Sequence, residues 1–497
     1  MKKPIAWRLA VLSTTMWTSL VMAQSHQNAE LGQFLQEFHQ NPSQVMDQLP
    51  AKTAKQASLF NQSDKEDNQF VAKKDLNRAQ VLQVQGRAGM QYNDLAENLV
   101  DNGRDLISNL GEMDEKELQK AQLAESPWSD DYWAIAKGIL GSRYADPDKN
   151  ETFDWKDNFE FTKTNPVTDY ITNGNIDYLS PSEKYDLLMG DENYTLTKKM
   201  WAEGKSYYDQ SGKVEDWMGI CHGWAPAAYM VERPTNSVKV KDVTGKHEIT
   251  FFPSDLKALS SLLWANGRTN SNFIGGRCNA KNPAKDRATG RVTDQECFDT
   301  NPGSWHKAVV NQIGVSKRSF VIDATYDYEV WNQPVFAYSY RYFNVETGET
   351  ATTYDKAVIK LADFSKDKFK DFRDSKTKKI VGVEMRLEYV VETQPSHSKT
   401  DSSNRDATNT ALYRYDLELD AKGNIVGGEW YSNAHPDFLW TPPVGEKVRT
   451  SVDRYMNGKT LEDVVTKGSR FSPRTSAQGL PLPLVIEKLI KESRTEK

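Results

Sequence analysis

Two segments in the C-terminal part of the chain alternate between apolar and polar side chains, and this pattern restricts the fold more than any other feature. The first covers residues 381–392 and the second residues 413–419. Because successive side chains of a strand point to opposite faces, a period of two predicts antiparallel strands with one buried and one solvated face. The second segment is followed by a turn, Ala421-Lys422-Gly423-Asn424. An antiparallel sheet is therefore expected.

Other parts of the chain have helical patterns. Residues 24–125 are rich in Gln, Asn, Lys and Asp and predict a polar helical region, which is either a removable pro-segment or an added subdomain. A core helix is expected over residues 129–144 and a short amphipathic tail helix over residues 482–497. Helices and an antiparallel sheet in different parts of the chain indicate the α+β class. The apolar residues at helical spacing in the N-terminal region are Leu31, Phe34, Leu35 and Phe38.

Length and aromatic content point to a folded protein with several domains. A chain of 497 residues is too long for one ordinary core and predicts two or three domains. Its 13 Trp, 21 Tyr and 19 Phe are far more than a disordered chain contains. The sequence therefore predicts a globular protein.

Residues 1–23 have the features of a signal peptide. A basic start, Met1-Lys2-Lys3-Pro4, precedes a mostly apolar run over residues 5–21. An uncleaved anchor is less favoured, because polar residues interrupt the run and it is shorter than the roughly 20 residues that span a bilayer. We expect cleavage near Ala23 and a secreted or periplasmic mature protein.

The charge of the chain excludes one class of partner. The formal net charge is −6, and removal of Lys2, Lys3 and Arg8 with the signal peptide changes it by three units to −9. An acidic protein of this kind is not expected to bind nucleic acid. No later segment is apolar enough to span a membrane.

The three cysteines predict one disulfide and one free thiol. Thiols of an exported protein tend to pair, so an odd number leaves one over. Cys278 and Cys297 flank a polar segment, residues 279–296, that has no core to hold it. A bridge between its ends stabilises by about 3 kcal/mol in the chain-entropy model. We therefore pair Cys278 with Cys297 and leave Cys221 unpaired.

Cys221 is the candidate nucleophile. A lone cysteine is most often a small buried hydrophobe, but outside the cell a spare thiol is a liability unless it is used. Gly219 and Gly223 flank it, and residues 225–231 favour a helix, although Pro226 is expected to delay that helix by a residue or two. Near a helix start the free N–H groups and the dipole lower a thiol pKa from about 8.5 and could hold an oxyanion.

His306 is the predicted general base. It lies in residues 304–314, which are typical of a strand, and the next apolar strand ends at Asp323. If the two strands form a hairpin, opposed Cβ atoms are about 4.5 to 5.5 Å apart, so Asp323 could orient the imidazole. Asp327 is the alternative acid and His435 the alternative base. The remaining histidines lie in hydrophilic segments or beside the nucleophile: His26, His39, His222, His247 and His397.

The sequence contains none of the common cofactor motifs. There is no Cys-x-x-Cys, no His-Glu-x-x-His, no Gly-rich phosphate loop, no Gly-x-Ser-x-Gly and no EF-hand spacing. The proposed chemistry requires no cofactor, metal binding is not favoured, and a calcium requirement stays open.

Three motifs carry a resemblance to a known family. The run Cys221-His222-Gly223-Trp224-Ala225-Pro226-Ala227, together with residues 320–334 and residues 427–437, resembles the elicitor-type transglutaminases of oomycete cell walls and some marine bacteria. This family lies within the papain-like transglutaminase superfamily. The resemblance covers about residues 125–445. It implies a papain-like core, in which a nucleophile at a helix N-terminus packs on an antiparallel sheet, with a helical N-terminal region and added C-terminal strands.

The resemblance also implies an activity. A Cys-His-Asp enzyme of this kind attacks the side-chain amide of a protein glutamine, releases ammonia and passes the acyl group to a lysine or another amine. With water as the acceptor the same triad would give a cysteine protease or amidase, and a non-enzymatic secreted surface-binding protein is the third hypothesis. The expected segments are a signal peptide at 1–23, the polar helical region at 24–125, the catalytic core at 126–345, and a C-terminal sheet region with a tail helix at 346–497.

Overall fold

A computed structural model describes residues 28–49, 52–54, 94–150, 152–278, 282–294, 297, 300–325, 329–450 and 460–495. The predicted signal peptide and Asp327 lie outside the described residues. The strands are β1 Lys52–Ala54, β2 Lys120–Gln122, β3 Val238–Lys241, β4 Glu248–Phe251, β5 Asn272–Gly275, β6 Val321–Asp323, β7 Asn332–Phe343, β8 Thr350–Ala351, β9 Ile359–Lys360, β10 Lys379–Val391, β11 Ala407–Leu419, β12 Ile425–Trp430 and β13 Phe438–Thr441.

The helices complete a mixed α+β fold. We call the helical residues 28–40 α1. The others are α2 Pro42–Met46, α3 Leu110–Glu115, α4 Trp155–Thr164, α5 Val167–Thr172, α6 Pro181–Leu188, α7 Thr195–Ser211, α8 Cys221–Met230, α9 Pro253–Asn266, α10 Pro302–Val309, α11 Tyr354–Ala357, α12 Leu461–Gly468, α13 Ser472–Ser476 and α14 Pro483–Ser493.

One large antiparallel sheet organises the described chain. It has eleven strands along the order β1-β11-β10-β7-β6-β13-β5, with β12 beside β11, β2 and β8 beside β7, and β9 beside β10. At its centre Val383 of β10 lies opposite Tyr342 of β7 and Tyr415 of β11. Both segments whose alternation predicts strands are thus confirmed. The sheet takes strands from both sides of residue 345, where the sequence predicts a domain boundary.

One face of the sheet is covered more than the alternation predicts. Glu384 points away from the main core, yet it is buried and forms ion pairs with Arg341 and Arg414. Apolar side chains of α1 and α2 pack on Phe343 and Tyr431 nearby. The expectation of one solvated face is therefore wrong wherever these helices cover the sheet, although the helical spacing that predicts α1 is confirmed.

The helix that carries Cys221 belongs to a second core. Helix α8 packs against α9 and against β7. Almost every residue of α9 is buried, so these two helices lie inside the protein and not on its surface. Helix α10 instead packs against β12 and β11, in a separate apolar cluster that also contains residues of β10. Among the described residues no helix combines the length and apolarity needed to cross a membrane.

The predicted core helix over residues 129–144 is wrong. The segment contains two short 3-10 turns, Ile135–Lys137 and Ile139–Gly141, and the φ angles of Trp133 and Ile139 are 53° and 52°. Its backbone bonds to the neighbouring chain, as where the N–H of Ile135 donates to the carbonyl of Met218. Because the segment is buried on every side, its apolar pattern reflects burial and not a helical period. The tail helix is confirmed as α14.

Candidate active site

Cys221 is the first residue of α8 and is a free, buried cysteine. The predicted helix start and the predicted unpaired thiol are both confirmed. The residue before the helix, Ile220, provides no side-chain cap, and its main-chain carbonyl accepts hydrogen bonds from the N–H groups of Gly223 and Trp224. Pro226 does not delay the helix as expected, because it lies inside the helix.

The buried sulfur has two polar neighbours among the described residues. The main-chain carbonyl of Val330 lies 3.6 Å from Sγ, and the side-chain Nδ2 of Asn332 lies 3.6 Å from it on β7. The other end of the Asn332 amide, Oδ1, accepts a hydrogen bond of 2.9 Å from the indole Nε1 of Trp440 on β13. Neither neighbour of the sulfur is a histidine.

Burial controls the state of the thiol. It raises the pKa of Cys221 to about 11, and the carboxyl groups of Glu392 and Asp323 raise this pKa further, while donors of Asn332 lower it. The expectation that the helix start alone would bring the thiol pKa down is therefore wrong for this state. The thiol is neutral near pH 7.

Asp323 ends β6 and lies directly opposite Asn332 in the sheet. Its Oδ1 accepts hydrogen bonds from the main-chain N–H of Thr325, from the Thr325 hydroxyl and from the main-chain N–H of Trp331. Burial, together with the nearby carboxyl of Asp437, raises the pKa of Asp323 to about 7. The structure thus brings Asp323 close to Asn332 and into the electrostatic environment of Cys221.

His306 does not lie on a strand. It is fully buried in α10, and the hairpin that placed it opposite Asp323 is wrong. The helix begins at Pro302, after Asn301 caps it by accepting a hydrogen bond from the N–H of Gly303. Asn followed by Pro is a strong helix-start signal that the apolar run after it obscured.

The contacts of His306 are with tyrosines. Its Nδ1 lies 2.8 Å from the hydroxyl of Tyr415, and its ring packs edge-on against Tyr340 at 4.7 Å. Burial lowers the pKa of His306 to about 3, so the imidazole is neutral. In the described part of the chain no hydrogen bond joins His306 to Cys221 or Asp323. The structure therefore brings together two of the three predicted catalytic residues and leaves the third apart.

The alternative base, His435, lies between β12 and β13. Its ring stacks on Trp430 with 4.5 Å between ring centroids, and burial lowers its pKa to about 3. The following Asp437 accepts a hydrogen bond from the main-chain N–H of Cys278. This segment is therefore held against the disulfide loop.

Asn332 and two residues beside it, Gln333 and Trp440, were not singled out from the sequence. Asn332 and Gln333 occur in one of the motifs that carry the family resemblance, and this was the available signal for them. Gln333 donates a hydrogen bond of 2.6 Å to Glu392, a buried carboxyl whose pKa burial raises to about 7. Nothing local marks Trp440, because its contact with Asn332 joins residues 108 positions apart.

The predicted disulfide is present and connects Cys278 with Cys297. Around it, Lys285 forms an ion pair with Asp47, so the loop contacts the N-terminal region. Within the described ranges, no group of three or more His, Cys, Asp and Glu side chains is arranged to hold a metal ion.

The chain was compared with family models, with solved structures and with curated proteins. A family model described as "Transglutaminase elicitor" matches residues 102–468. The crystal structure of the GP42 transglutaminase from Phytophthora sojae is similar at 22% sequence identity and a TM-score of 0.47, over 73% of this chain and 94% of that chain. A comparison with curated proteins found no match.

Proposed function

The chain belongs to the transglutaminase elicitor family, and on this premise we propose that it is a secreted protein-glutamine γ-glutamyltransferase with Cys221 as its nucleophile. Its substrates are then proteins or peptides that present a glutamine as acyl donor and a lysine or another amine as acceptor. The observation that carries the proposal is the position of a free, buried Cys221 at the start of α8, inside the matched range.

The proposed reaction has two acyl-transfer steps. Sγ attacks the carbon of the glutamine amide, the carbonyl electron pair moves to oxygen, and the C–N bond breaks as the carbonyl re-forms. Ammonia leaves with the proton that the thiol gave up, and a thioester remains on Cys221. The lysine amine then attacks the thioester, loses a proton, and releases the thiol with an isopeptide bond formed.

The roles of His306 as base and Asp323 as its orienting acid stay predictions. A base must come within about 2.6 to 3.2 Å of the group whose proton it takes, or reach it through one water. His306 would have to leave Tyr415, and α10 would have to approach the start of α8, before it met this condition. A His306→Gln variant keeps a polar group beside Tyr415 but removes the imidazole, so its loss of activity with an unchanged urea midpoint would support the role.

The first experiment is incorporation of a fluorescent primary amine into a glutamine-containing protein, with ammonia release measured in parallel. We expect both in the wild type, and a fall of at least about 10³-fold in Cys221→Ala, because removal of a nucleophile leaves only binding and oxyanion stabilisation. Ammonia without amine incorporation would favour an amidase, and peptide cleavage a protease.

Two further arms complete this test. Equal activity of Cys221→Ala and the wild type would contradict both enzyme hypotheses and leave the surface-binding protein. We propose that the reaction needs no cofactor, so the rate should be the same in EDTA and in millimolar calcium. A rate that rises only with calcium would overturn this part of the proposal.

A further inference from the structure

We propose that Asn332 is a catalytic residue that donates hydrogen bonds to the Cys221 thiolate and then to the oxyanion of the tetrahedral intermediate, and that Trp440 positions it. This inference rests on the proposed acyl transfer and identifies the donor in that same site. It follows from one chain of contacts, Trp440 to Asn332 to Cys221.

The orientation of the Asn332 amide is decided by chemistry. An indole Nε1–H is a donor only, so the Asn332 atom that lies 2.9 Å from it must be the acceptor Oδ1. The NH₂ group at the other end of the amide must then face Sγ, at 3.6 Å. A rotation of the amide by half a turn would place two donors against each other at Trp440.

The three strands around this contact hold it in place. Asn332 pairs with Asp323 across β6 and β7, and Trp440 pairs with Val321 across β6 and β13. Trp440 therefore reaches Asn332 past the strand between them, and both of these residues lie on sheet backbone. Catalytic groups on strands are positioned more accurately than groups on loops.

The environment favours a charged partner for the amide. Asn332 is only 5% exposed, so its NH₂ group has little access to water. A neutral thiol is a weak acceptor, whereas a thiolate or an oxyanion takes a much stronger hydrogen bond from a buried donor. The main-chain and side-chain N–H groups of Asn332 both lower the pKa of the Cys221 thiol, which opposes the effect of burial.

The same donor is suited to the next step of the reaction. When Sγ bonds to the acyl carbon, the electron pair of the carbonyl moves to an oxygen that is two bonds away from Sγ. A donor that already faces Sγ is close to this oxygen. The charge is thus stabilised where it develops.

The test combines activity with the pH dependence of thiol alkylation. Asn332→Ala should lower kcat by about 10² to 10³-fold, as loss of one oxyanion donor does, and leave KM nearly unchanged. It should also move the pH midpoint of Cys221 alkylation by iodoacetamide upward. Asn332→Asp keeps an acceptor for Trp440 but brings a carboxyl to the sulfur. We therefore expect a lower kcat and a higher pH midpoint of alkylation for this variant as well.

Trp440→Phe tests the positioning role separately. It keeps an aromatic ring but removes the N–H that orients the amide, so kcat should fall about 10-fold. In a double variant with Asn332→Ala, the Trp440 substitution should have no further effect on kcat, because it acts through the missing amide. Additive effects on kcat would show that Trp440 does not act through the Asn332 amide and would overturn its assignment as a positioning residue.

The control is a buried amide far from the site. Asn158 in α4 is 2% exposed and its Nδ2 donates to main-chain carbonyls, including that of Asp154 at 2.8 Å. Asn158→Ala should lower the urea midpoint without changing kcat or the alkylation midpoint. An Asn332→Ala variant that behaves like Asn158→Ala would refute the catalytic role.

Failure of the proposed function gives a different result. A wild type that never incorporates amine would contradict acyl transfer, while the alkylation midpoints would still decide whether Asn332 stabilises the thiolate. If Asn332→Ala does not fold, Trp440→Phe is the deciding variant. A Trp440→Phe protein whose kcat and alkylation midpoint equal those of the wild type would overturn the inference.

Discussion

A methyl group at Gly223 tests how tightly the Cys221 helix is held. Gly223 lies in the first turn of α8, where that helix contacts α9. A Cβ atom at this position would be 2.2 Å from the main-chain oxygen of Ser261 and 2.5 Å from Cβ of Ala265. Since such contacts essentially never fall below 3.0 Å, Gly223→Ala must separate the two helices by about 0.8 Å. The obstacle is backbone, so no side-chain rotation relieves it.

The expected cost follows from two opposing effects. Overpacking of a tight core typically costs about 1 to 3 kcal/mol, whereas alanine in a helix gains up to about 1 kcal/mol over glycine. We expect a net loss of about 1 to 2 kcal/mol in the free energy of unfolding. Because Cys221 is two residues away, the shift should also move Sγ relative to Asn332 and lower the rate of amine incorporation.

Urea unfolding followed by tryptophan fluorescence measures this change. Gly32→Ala is the matched control, because Gly32 is exposed in α1 and a Cβ there would have no atom within 4 Å. The control should be as stable as the wild type or more stable by about 0.5 to 1 kcal/mol. If Gly223→Ala were also unchanged or stabilised, the close α8 to α9 contact would be refuted.

Three further predictions concern charge and cross-linking. Since burial raises the pKa of Asp323 from 3.8 to about 7, the contribution of this carboxyl to stability is complete below pH 3.8 and is lost as the pH rises through 7, at about 1.4 kcal/mol per pH unit. Asp323→Asn should remove this slope from a plot of urea midpoint against pH, and an unchanged slope would contradict the burial of the carboxyl. Cys278→Ser with Cys297→Ser should cost about 3 kcal/mol of unfolding free energy while Cys221 alkylation stays as in the wild type, and equal stability would show that the bridge does not restrain the chain. Lys184→Met should lose about 3 to 5 kcal/mol of unfolding free energy, because it removes the partner of the fully buried Asp255, whose ion pair with Lys184 measures 2.7 Å. A variant within about 1 kcal/mol of the wild type would contradict this reasoning.

Patterns with a short period were sufficient to predict several parts of the fold. The alternation over residues 381–392 predicts β10 because a strand repeats every two residues, and helical spacing predicts α1 in the same way. The pairing of Cys278 with Cys297 followed from the count of three cysteines and the polar segment between those two. The start of α8 at Cys221 followed from its flanking glycines and the helix-compatible run after them.

The sequence alone predicted the free cysteine at the start of α8 and the disulfide, and only the tertiary structure decided what surrounds them. His306 lies in a helix that begins after Asn301, so the imidazole contacts Tyr415 and not Asp323. The contact of Asn332 with Trp440 depends on the order of β7, β6 and β13 in the sheet. Periodicity indicates which faces of a helix or strand are buried. Which elements contact each other depends on packing between residues far apart in the chain, and no local sequence pattern contains that information.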